Sequence, residues 1–68
     1  MQDDDCNALN SALFALLTAK FEDAAAFAVE GQDPRCPHTG DLVVQVRYLA
    51  EQAIKLIDAI DMVDNSRS

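Results

Sequence analysis

Leu42, Val46, Leu49, Ala53, Leu56, Ile60 and Val63 recur at alternating spacings of four and three through the second half of the chain. That spacing holds one stripe of an α-helix against a neighbouring helix. A second row, Val43, Ala50, Ile54 and Ile57, lies beside the first and widens the apolar arc beyond what one neighbour covers. Arg47, Glu51, Lys55 and Asp58 take the opposite side, with Glu51 and Lys55 at the acid-first spacing that favours an intrahelical pair. The excess apolar surface predicts more helices in the folded assembly than one chain supplies.

The first half reads as a second helix. From Asn7 to Glu30 there is no glycine or proline, and Phe14, Leu17, Phe21, Ala24 and Ala28 again step by three and four. Leu9, Leu13, Leu16 and Phe27 enlarge its apolar side, which adjoins an alanine row. The polar strip of Asn7, Ser11, Thr18 and Glu22 is narrow. Lys20 falls among apolar neighbours, where a lysine lays its stem along the core and extends its ammonium to water. Asp5 suits an N-cap, and Gly31 stands where a left-handed C-terminal residue is favoured. Pro34 and Pro37 break the helix, after which Thr39 or Asp41 is placed to cap the next one. The expected organisation is a single domain over residues 1–68, with helix one at about 7–30, a loop at about 31–38 and helix two at about 40–64.

A chain of 68 residues buries a modest share of its surface and needs a supplement such as oligomerisation. The expected fold is therefore all-α: an antiparallel helical hairpin that dimerises into a four-helix bundle. Phe14, Leu17 and Phe21 of helix one and Leu42, Val46, Leu49, Leu56 and Ile60 of helix two are the expected dimer residues. In architecture this resembles antiparallel bundles of the Rop type. That type binds RNA through basic helix residues, whereas helix one here offers Lys20 alone. Twelve acids against five bases, a net charge of −7, disfavour nucleic acid and anionic membranes. The acidic start, Met1 to Asp5, is unlike a signal peptide, and no apolar run is long enough to span a bilayer, so a cytoplasmic protein is expected.

Cys6 and Cys36 flank a helix that holds its ends roughly 36 Å apart, far beyond the ~7 Å that a disulfide tolerates between Cα atoms. Two reduced thiols are expected. Cys36 and His38 share one loop, but a Cys-x-His pair supplies only two of the four ligands of structural zinc. Nor does it form a thiol enzyme, because no third group orients the pair. The chain is read as non-enzymatic and without a cofactor or metal.

Acidic residues carry the least ordinary pattern. Asp58, Asp61 and Asp64 end helix two, against the preference of a helix C-terminus for bases. Antiparallel folding sets them beside Asp3, Asp4 and Asp5, forming an acidic pole suited to a basic surface on a partner protein. Val44, Tyr48 and Met62 offer a small secondary patch. The functional expectation is a small acidic protein-interaction module, a regulator or inhibitor that covers a partner's surface as a homodimer. The alternatives are an obligate heteromeric subunit of chaperone or antitoxin type and a Rop-like RNA-binding bundle.

Overall fold

The computed structural model describes residues 3–66; Met1, Gln2, Arg67 and Ser68 lie outside it, and with them the two ends of the 1–68 assignment and the start of the acidic leader. Helix α1 runs over Asp3–Gly31 and helix α2 over Thr39–Asn65, packed against each other with no strand among the described residues. The result is a rod with Cα extents of 52 × 14 × 10 Å, about the length of one of its helices plus the turn. Among the described residues no helix is long and apolar enough to cross a membrane.

Helix α1 starts ahead of Asn7 because Asp3, Asp4 and Asp5 form its first turn, where three carboxylates face the positive end of the helix dipole. Asp5 is therefore inside the helix and does not cap it. Gly31 is the last residue of α1, and no glycine has positive φ, so the left-handed ending expected there does not occur. Gly31 instead meets α2 across the seam: a Cβ built on it would stand 3.6 Å from Leu42 Cδ1. At the start of α2 neither Thr39 nor Asp41 caps. His38 holds the N-cap position with no side-chain hydrogen bond to the helix, and Asp41 sits in the first turn.

The connection, Gln32 to His38, is built from short local bonds. Gln32 N donates to Val29 O at 3.1 Å and Cys36 N to Asp33 O at 3.0 Å. Asp33 Oδ1 accepts from Arg35 N at 2.9 Å, an Asx-type turn, and pairs with Arg35 Nε at 3.3 Å. His38 Nε2 donates to Glu30 Oε1 at 2.7 Å, tying the two helix ends together. No ion pair joins Glu51 to Lys55; an exposed pair of this kind gains too little to offset the rotamer freedom it removes.

On α2 the intrachain seam is the row read from the sequence. Leu42, Leu49 and Ala53 are buried, and Val46, Leu56, Ile60 and Val63 are half-buried. On α1 the seam keeps Leu17 and Ala24 of the row read from the sequence but not Phe14, Phe21 or Ala28: Cys6, Asn10, Leu13, Leu17, Lys20, Ala24 and Phe27 are the buried and half-buried residues, spaced by four and three over the whole helix. Phe14 and Phe21 lie beside that line, each 54% exposed. Small side chains explain the choice, since Cys6, Asn10, Ala24 and Gly31 let the axes approach and leave room for the leucines of α2. Phe14 and Phe21 are left at flanking positions, while Phe27 is half-buried on the seam near the connection.

A candidate interaction face and its acidic end

The seam positions determine what each broad side of the hairpin carries. Residues one heptad apart share a helix face, so Phe14, Phe21 and Ala28 line one side of α1, while Val43, Ala50 and Ile57 line one side of α2. The structure puts these two lines on the same side. Phe14 and Ile57 border one cleft near the acidic end, and Ala28 and Val43 border a groove near the connection. Ile54 stands between them, one heptad from Arg47 and one from Asp61. Ile54 is 58% exposed, and Val43 and Ile57 are about half exposed. Thr18 falls on the same side of α1, but its hydroxyl donates to Phe14 O at 2.9 Å. A polar group satisfied by its own backbone costs an apolar contact little.

The residues expected at a dimer interface divide into two sets. Leu17, Leu42 and Leu49 are buried inside one hairpin, and Val46, Leu56 and Ile60 are half-buried there, whereas Phe14 and Phe21 remain exposed. Val43, Ala50, Ile54 and Ile57, the second row of helix two, are exposed as well. Wheel geometry located that row, but the narrow polar strip of helix one concealed which of its apolar rows would stay outside.

At the acidic end the cleft has a volume of about 660 Å³ and is lined by Asn7, Asn10, Ser11 and Phe14 from α1 and by Ile57, Asp58, Ile60, Asp61 and Asp64 from α2. Asp3, Asp4 and Asp5 lie at the same end of the hairpin and are exposed. Asn10 is 8% exposed, and its Oδ1 is buried with no hydrogen-bond partner. A desolvated acceptor left unpaired is unusual in a folded chain and costs stability. Cys6, one turn away, is fully buried. Two polar or thiol side chains thus occupy the seam where leucine would be expected, a feature that residue type alone did not signal.

At the other end the groove of about 490 Å³ is lined by Phe27, Ala28, Gly31, Gln32, Thr39, Leu42, Val43, Val46 and Arg47. It is apolar apart from its margins. Val44 and Tyr48 border a smaller hollow on the outer side of α2 with Val43, Arg47 and Glu51, and Met62 is exposed farther along the helix. Both cysteines are free, Cys6 buried and Cys36 half-buried. His38 beside Cys36 is engaged by Glu30, and among the described residues no group of three or more His, Cys, Asp or Glu side chains is placed to hold a metal ion. The chain matches no protein-family model, no curated protein and no solved structure.

Proposed function

We propose that this chain is a non-enzymatic interaction module that acts as a homodimeric four-helix bundle and regulates or inhibits a partner protein by covering part of its surface. One observation carries the reading: after the hairpin closes, Phe14, Phe21, Val43, Ile54 and Ile57 remain exposed on a single side. An apolar face of that kind on so small a protein marks an association surface. Pairing two hairpins through it gives each helix a second neighbour and supplies the core that one chain lacks.

The acidic pole is the proposed contact for the partner. Asp3, Asp4, Asp5, Asp58, Asp61 and Asp64 concentrate negative charge at one end of the hairpin. A basic surface on the partner is the complement. The same charge opposes nucleic-acid binding.

Sedimentation equilibrium of the purified chain tests the homodimer. A species of roughly twice the 7.4 kDa chain mass, with a melting temperature that rises with protein concentration, is expected. Replacing Phe21 with Asp should yield monomer, because the charge would enter the proposed interface while remaining exposed within one hairpin. A folded wild-type monomer at micromolar concentration would refute homodimerisation and transfer the apolar face to a heteromeric partner.

A further inference from the structure

Two hairpins can meet through the apolar face in more than one way, and the charges bordering that face discriminate between them. A two-fold axis along the rod would stack the two acidic ends, bringing Asp3, Asp4, Asp5, Asp58, Asp61 and Asp64 of both copies together. A two-fold axis across the rod would place the acidic end of each copy over the other's connection. On the face itself, Arg47 stands toward the connection, while Asp61 stands in the cleft at the acidic end.

We infer that the face carrying Phe14, Phe21 and Ile54 takes a second copy of this chain, laid antiparallel about a two-fold axis that crosses both helices at the level of Thr18 and Ile54. The inference rests on the self-association proposed above and specifies its geometry. Ile54 is midway between Arg47 and Asp61, all three one heptad apart on one side of α2. A two-fold axis through Ile54 therefore brings Arg47 onto Asp61 of the partner subunit, and the symmetric contact forms at the other end.

The other helix gives the same axis independently. Phe14 and Ile57 border one cleft, and Ala28 and Val43 border the other groove; taking the members of each pair as level places Ile54 beside Leu17 and Thr18 on α1. An axis there lays Phe14 against Phe21 of the partner subunit, so four rings form two aromatic pairs. On α2 it sets Ala50 against the partner's Ile57, small against large. Thr18 meets its own copy with its hydroxyl already bonded to Phe14 O. No residue on either line is forced against a like charge.

The available area is adequate. The face is about 35 Å long and about 18 Å wide, roughly 600 Å² per chain, near the ~800 Å² per partner of a standard stable interface. Electrostatic pairing at both ends of such a face sets orientation more than affinity.

The test is a charge exchange in the full chain. Arg47 and Asp61 are fourteen residues apart on one helix, about 21 Å, so they make no contact within a chain and any rescue between them reports contact between chains. Sedimentation equilibrium should show Arg47→Asp and Asp61→Arg each raising the dimer dissociation constant on the order of tenfold, because each change converts two attractions into two repulsions. The double variant should return to within about threefold of wild type. Ile54→Cys in a Cys36→Ser background, with both charges native, should give a covalent dimer with a short bifunctional thiol reagent, which decides the geometry should a charge variant fail to fold. A dimer that shows neither rescue in folded variants nor an Ile54→Cys cross-link overturns the antiparallel geometry and leaves the homodimer standing. A monomeric wild-type chain overturns both.

Discussion

Replacing Asn10 with Leu should stabilise the protein. Asn10 lies on the α1 seam, 8% exposed, with Oδ1 buried and unpartnered. Removing an unsatisfied buried acceptor recovers about 1–3 kcal/mol of desolvation cost. Leucine adds about 0.4 kcal/mol of helix propensity and extra apolar burial at about 0.8 kcal/mol per methylene. The adjoining cleft, bordered by Phe14, Ile57 and Ile60, has space for the added atoms, so overpacking is avoided. A net gain of about 2–3 kcal/mol follows, which for a domain of this size corresponds to roughly 10–20 °C in melting temperature. Urea denaturation followed by far-UV circular dichroism at a fixed protein concentration measures it, with an unchanged dependence on urea showing that the two states are the same. Asn10→Asp, which places a charge on the same site, should destabilise by a comparable or larger amount. A leucine variant less stable than wild type would refute the reasoning, because it would mean that Oδ1 has a partner in solution worth more than its desolvation. A more stable variant with broadened transitions would identify Asn10 as a residue that fixes the pairing of the helices at the expense of stability.

Further outcomes follow from the same geometry. Leu49→Asp should abolish the helical signal, because an unpaired carboxylate at a site 7% exposed costs more than the roughly 5 kcal/mol available to so small a domain. Gly40→Ala should stabilise by about 0.5–1 kcal/mol in the same urea assay, since nothing lies within 4 Å of the added Cβ and no glycine has positive φ. Gly31→Ala should gain a similar amount through an ordinary contact with Leu42; a loss there would mean the helices pack more closely than 3.6 Å allows. In native protein Cys36 should react with a thiol reagent well before Cys6, which is 0% exposed, and both should react after denaturation without prior reduction. Equal native rates would show that the acidic end of the hairpin opens.

Two helices and the break between them were legible in the sequence because local chemistry specifies them. Uninterrupted helix formers on either side of Pro34 and Pro37 leave few other foldings, and the Leu42 to Val63 row is apolar on one side and charged on the other, so it admits one buried stripe. The exposed second row, Val43, Ala50, Ile54 and Ile57, was legible for the same reason. Helix one gave no such contrast. It carries Leu9, Phe14, Leu16 and Phe21 over several sides, and the seam that forms leaves these four outside while taking in Cys6 and Asn10, the latter a residue type that sequence patterns assign to the outside. Only packing against α2 decided it, because closeness of approach depends on side-chain size at facing positions and not on hydrophobicity at any one of them. The details of the ends were tertiary as well: His38 bonds to Glu30, eight residues away in sequence, and so takes the N-cap position that local propensity would give to Thr39 or Asp41. Sequence determined where the helices are and that one chain has apolar surface to spare, whereas the contact between the helices decided which surface is spare.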